Sequence, residues 1–142
     1  MSRPTGVDHI AIAVPDLNEA TQLWRDRFGL REGERELVPG QRVEVQMMYA
    51  GKMRIELVCP TSNDSPVQAF LDKKGPGIHH IALAVDDCQA AISSIQAKGA
   101  QMIDSEPKKG AHGTKVGFVH PKSSNGVLLE LVEDGDISGL SS

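Results

Sequence analysis

Two histidines and two glutamates stand at matching places in two similar stretches of this chain. His9 lies in GVDHIAIAVPD, residues 6–16, and His80 in GIHHIALAVDD, residues 77–87. Glu56 in RIELV and Glu130 in LLELV form a second matched pair, late in each half. Two acids gathered on one concave surface repel, and burial raises their pKa values. A divalent cation resolves this, because two carboxylates and two neutral imidazoles leave its ligand shell formally neutral. The mixed nitrogen and oxygen set suits zinc, cobalt, nickel, manganese or iron(II). Four protein ligands leave octahedral positions open, which points to chemistry at the ion.

Both histidine stretches alternate strictly. His9, Ala11 and Ala13 share one face, with Ile10, Ile12 and Val14 on the other. His80, Ala82 and Ala84 repeat the first set, and Ile81, Leu83 and Val85 the second. Period two predicts strands whose large-residue face is packed. The small-residue face then has room for a ligand or cavity. Glu56 lies between Ile55 and Leu57, and Glu130 between Leu129 and Leu131, so both acids point away from the packed side. His79 points opposite to His80, which suits a structural role or the support of a ligand from behind.

A helix signal follows each histidine strand. Asp16 caps the first, with Glu19 as capping-box partner. Leu17, Ala20, Leu23, Trp24 and Phe28 form its apolar stripe, and Gly29 its stop. In the second copy Asp87 is the cap, Cys88, Ala91, Ile92 and Ile95 the stripe, and Gly99 the stop. Extended segments come next: RVEVQMMYA and MRIELVCP in the first half, KVGFVHP and VLLELVE in the second. Each half reads β-α-β-β-β, and the second strand of each carries the weakest signal. Turns fall at Pro39-Gly40, Gly51, Gly75-Pro76-Gly77 and Asn125-Gly126. A short helix is expected in SPVQAFLDKK between the halves, and the tail EDGDISGLSS is expected to fray. The predicted fold is α+β: two tandem βαβββ modules, about 6–60 and 77–134, forming an open, incomplete barrel around a metal site within one domain.

Composition narrows the class. A chain of 142 residues with 39% hydrophobic and 24% charged residues can bury a sizeable core. The net charge of −4 and the lack of a basic stripe argue against nucleic acid as partner. No apolar run approaches the roughly 18–20 residues of a membrane span. The opening MSRPTG is too short for a targeting peptide, so a cytoplasmic protein is expected, or a mitochondrial-matrix one if a transit peptide has been removed. Cys59 and Cys88, far apart and in apolar patterns, are expected to be buried, reduced thiols.

The paired pattern resembles the vicinal oxygen chelate, or glyoxalase, superfamily. Its longer segments, DHIAIAVPDLNEA, DSPVQAFLDKKGPGIHHIALAVDD and GAHGTKVGFVHPKSSNGVLLELVE, resemble methylmalonyl-CoA epimerases in order and through most of the chain. Where glyoxalase I shows a DPDG type of turn, this chain has HPKSSNG. The resemblance implies one divalent ion (cobalt, zinc, nickel or manganese), held by His9, His80 and Glu130 with Glu56 in fourth place. It also implies an acyl-CoA substrate and a homodimer.

The implied reaction inverts the carbon between a thioester and a carboxylate, and needs a base on each side of it. Glu130 is the first candidate, with Glu56 and Glu44 as alternatives for the second. Some epimerases carry glutamine in the place of Glu56. Some lineages place a glutamate near VEVQMM, but opposite Val45, one residue from Glu44. The implied substrate needs cations for its CoA phosphates, for which Lys108, Lys109, Lys115 and Lys122 are placed in or beside loops; His112 is placed to close over the ligand, and Ser123, Ser124 and Asn125 to contact a carboxylate. His112, Lys115 and Ser124 are the chosen candidates. The alternatives are a glyoxalase I-type isomerase acting on a hemithioacetal and a non-catalytic small-molecule-binding protein of the same fold.

Overall fold

The computed structural model of the protein describes residues 3–134. The expected fraying of the tail beyond Asp134 lies outside them. Contacts divide the chain into two compact units, one of residues 9–79 and the other joining the segment through Asp8 to the chain from His80 onward. No helix among the described residues is long and apolar enough to cross a membrane.

The first unit takes β1 (Gly6–Ala13) from His9 on, with β2 (Arg31–Val38), β3 (Val43–Ala50) and β4 (Met53–Pro60), in the order β2-β3-β4-β1. β1 runs parallel to β4, and the other pairs are antiparallel. Helix α1 (Leu17–Asp26) begins where the sequence places it: the Asp16 carboxylate accepts the Glu19 N–H at 3.0 Å. Val14, Leu17, Ala20, Met48 and Leu57 form the core between helix and sheet. Helix α2 (Pro66–Lys74) carries Ser65 as its cap and Pro66 at its first position.

The second unit repeats the plan. β5 (Gly77–Ala84), which enters this unit at His80, β6 (Lys108–Lys109), β7 (Lys115–Val119) and β8 (Leu129–Glu133) stand in the order β5-β8-β7-β6, with β5 parallel to β8. Helix α3 (Cys88–Ala97) is capped by Asp87, whose carboxylate accepts the Ala90 N–H at 2.9 Å. Gly99 follows it with φ +95°, the left-handed value that favours glycine after a helix. Val85, Cys88, Ala91, Ile92, Val119 and Leu131 make this core.

The two weakly signalled strands are the irregular ones. β6 has two residues, and β2 slips in register between Glu32 and Arg35. Gln46 holds that irregularity: its amide donates to the carbonyls of Gly33 and Glu34 and accepts from Arg35 Nε at 2.8 Å. Buried Gln46 therefore has its polar groups occupied.

Ala11, Ala13 and Ala82 on the small-residue face have no exposure, while Ile10, Ile12 and Ile81 are half-buried, with Ile12 packed against the core under α1. Two expectations are corrected. Leu23 and Phe28 are exposed, and Thr21 takes a buried place on α1 by donating its hydroxyl to Leu17 O at 2.7 Å. Cys59 is half-buried, and its thiol lies 3.6 Å from Pro15 O.

Close packing under α3 gives a stability prediction. A Cβ on Gly117 would lie 2.8 Å from Ile92 Cδ1 and 3.3 Å from its Cγ1. Gly117→Val should therefore lower unfolding stability by about 1–3 kcal/mol in urea titration. Burial, assisted by the negative charges of Glu133 and Asp87, pushes the Cys88 thiol up to about 11 from 9.0. The folded protein then holds this proton more tightly than the unfolded chain. Its contribution is complete below about pH 9 and is lost as pH rises toward 11. Between those values the wild-type unfolding free energy should fall more steeply than that of Cys88→Ala.

Candidate metal centre

The first unit builds a histidine–glutamate pair across its parallel strands. Ala11 of β1 is the register partner of Glu56 on β4, and His9 stands one row away on the same face. His9 Nε2 lies 3.6 Å from Glu56 Oε1, and both residues are buried. The second unit builds the same pair with the same stagger. Ala82 of β5 is the partner of Glu130 on β8, and His80 Nε2 lies 3.0 Å from Glu130 Oε1. His80 and Glu130 are each 5% exposed.

Burying a carboxylate costs several kcal/mol or more unless charge and hydrogen bonds answer it. Each pair aims one imidazole nitrogen and one carboxylate oxygen toward each other in a buried setting. Such nitrogen–oxygen pairs are what a first-row divalent cation takes, so the residues present fit the metal that the resemblance implies. The pairs differ in what shares their rows. Met47 is the partner of Glu56, and Phe118 is the partner of Glu130. The Phe118 ring meets His80 edge-on, with centroids 5.4 Å apart. Such support fixes the orientation of an imidazole in the way that outer partners of metal ligands do.

The other candidates divide. Glu44 is not on the histidine face, which corrects its expected catalytic role. Its partners are Leu37 and Cys59, whereas Val43, Val45 and Met47 alternate onto the face of Glu56. Lys115, expected to bind substrate, also stands off that face. It pairs with Lys109 and Glu133, on the face opposite Val116, Phe118 and Glu130. The Ser124 hydroxyl is spent within its own turn, donating to Val127 O at 2.6 Å. Ser123 Oγ accepts from the Gln101 N–H at 2.7 Å, and Asn125 lies in the turn at φ +56°. His112 is exposed in the short turn Ala111–Gly113, with left-handed φ and ψ of 59° and 32°. His79 packs its ring against Phe70 of α2, with centroids 5.1 Å apart.

Comparison with known proteins decides the family. The profile of the Glyoxalase/Bleomycin resistance protein/Dioxygenase superfamily matches residues 8–118. A mitochondrial methylmalonyl-CoA epimerase of Dictyostelium discoideum is 44% identical over 133 residues, covering 89% of this chain and 77% of that protein. The chain belongs to the methylmalonyl-CoA epimerase family of this superfamily. Epimerases of this family are isomerases. The crystal structure of methylmalonyl-CoA epimerase from Mycobacterium tuberculosis matches with a TM-score of 0.92 and 31% identity, covering 99% of this chain and 95% of that one. A methylmalonyl-CoA epimerase solved in complex with methylmalonyl-CoA and ammonium matches at 0.89 and 33% identity, over 95% and 98% of the two chains.

Within this epimerase-family chain, sequence reasoning missed two residues beside the His80–Glu130 pair. Phe118 gave only an ordinary strand signal, although its row partner was already identified. Asp104 gave none, yet its carboxylate accepts the Phe118 N–H at 2.9 Å and pairs with Lys108 at 3.2 Å.

Proposed function

We propose that the protein interconverts the two C2 epimers of methylmalonyl-CoA, with His9, Glu56, His80 and Glu130 together holding one divalent cation of the cobalt, zinc, nickel or manganese type. The observation that carries this reading is the duplicated buried pair. The same two residue types, on the same two strands with the same stagger, occur in each unit of a chain similar to epimerases. When bound, the cation supplies charge stabilisation to the thioester and carboxylate oxygens, where negative charge accumulates during proton removal.

The protein side of the chemistry is proton handling. As the C2–H bond breaks, a carboxylate oxygen of Glu130 takes the proton and the electron pair moves into the thioester carbonyl. Return of a proton to the opposite face of C2 restores the C–H bond with inverted configuration. Glu56 is the donor in this reading, because Glu44 stands on the wrong face of β3. Burial of both pairs limits water, which would otherwise compete for the carbanion and weaken local electrostatics.

Proton NMR of methylmalonyl-CoA in D2O tests the reading. Loss of the C2 proton signal, stopped by EDTA and restored by cobalt, is the expected result. A metal-loaded protein that leaves C2 untouched but isomerises a hemithioacetal would replace this reading with a glyoxalase-type reaction.

A further inference from the structure

Four lysines flank the loop and last hairpin of the second unit, and the strand ladder separates them. Lys108 is the partner of Val116, and Phe118 is the partner of Glu130. Alternation therefore places Lys108, Val116, Phe118 and Glu130 on one face, with Lys109 and Lys115 on the other. Lys122 lies beyond, exposed in the turn Pro121–Ser123.

Lys108 is held rather than loose. Its ammonium lies 5.1 Å from the centre of the Phe118 ring and 3.2 Å from Asp104 Oδ1. The other Asp104 oxygen accepts the Phe118 N–H, so one carboxylate anchors both the strand and the lysine. The same Phe118 ring stands edge-on to His80. A cation is thus stationed two ring contacts from a candidate ligand, with its side chain still 42% exposed. An ammonium has three donors. Asp104 takes one and the ring face attracts the charge, which leaves capacity for a further oxyanion.

We propose that Lys108 is a substrate-contacting residue whose ammonium takes an oxyanion of the acyl-CoA on the face that carries His80 and Glu130. This rests on the epimerase reading. Proximity to His80 favours the acyl carboxylate, since the pantetheine arm separates the reacting end from the phosphates. A fixed cation there offsets the second negative charge that proton removal creates next to the carboxylate.

Calorimetric titration of wild type, Lys108→Met and Lys108→Arg with malonyl-CoA and with CoA alone provides the test, beside KM and kcat for methylmalonyl-CoA. Lys108→Met should weaken malonyl-CoA binding and raise KM by about 10- to 100-fold, leave CoA binding unchanged, and be largely rescued by arginine. Equal weakening toward CoA would keep the contact but assign it to a phosphate. Unchanged binding of both ligands would overturn the proposal. So would a loss that tracks a lower melting temperature and is not rescued by arginine, because Lys108 would then be a structural support. If wild type itself neither binds malonyl-CoA nor exchanges the C2 proton, the epimerase reading has failed; if it does both and Lys108→Met matches it, only this inference has.

Discussion

Replacing His80 with alanine is expected to cost the protein its divalent cation and to slow C2 proton exchange about a hundred- to ten-thousandfold. The substitution removes one nitrogen donor, and it also strips Glu130 of the imidazole that faces it at 3.0 Å. A buried carboxylate left without its partner costs about 3–5 kcal/mol, so His80→Ala should also melt earlier. His80→Asn separates these effects. It keeps a polar donor toward Glu130 and should melt closer to wild type, while still failing to retain metal through dialysis. Added cobalt should rescue EDTA-treated wild type but neither variant. A His80→Asn protein with one metal ion per chain and undiminished exchange would remove His80 from the ligand set.

The reason His80 was recognisable in the sequence also explains why other residues were not. Its strand alternates without interruption, so its face follows from its neighbours alone, and the copy at His9 repeats the pattern. Glu56 and Glu130 are equally exposed to this logic, each lying between two large apolar residues. The caps Asp16 and Asp87 were legible because capping is local. Glu44 was not, because its face depends on how β3 and β4 are registered across the Gly51-Lys52 turn. One residue of slip exchanges Glu44 for Val45 on the site face. The lysines pose the same problem. A two-residue β6 has no periodicity of its own, so only its pairing with β7 reveals that Lys108, not Lys115, faces Glu130's side.

Glu130→Gln should lower epimerisation about a hundred- to ten-thousandfold while leaving the fold and metal content near wild type, since an amide oxygen still faces His80 but cannot take a proton. The more informative readout is stereochemical. If Glu130 serves one face of C2 and Glu56 the other, Glu130→Gln should still wash out the C2 proton of one epimer and return deuterium to the same face, without inversion. The opposite epimer should keep its proton. Glu56→Gln should show the reverse preference. Glu56 takes this role by complementary position. Where the resemblance implies a glutamine in some relatives, this chain has an acid; where it implies a glutamate on β3, this chain has Val45, buried on the Glu56 face. One carboxylate per unit thus stays on the histidine face although its strand position differs. Retention of full inversion by Glu56→Gln would remove Glu56 from this role and require a second proton donor from outside β3 and β4. Loss of washout from both epimers in Glu130→Gln, with metal still bound, would instead make Glu130 the one mobile acid for both faces.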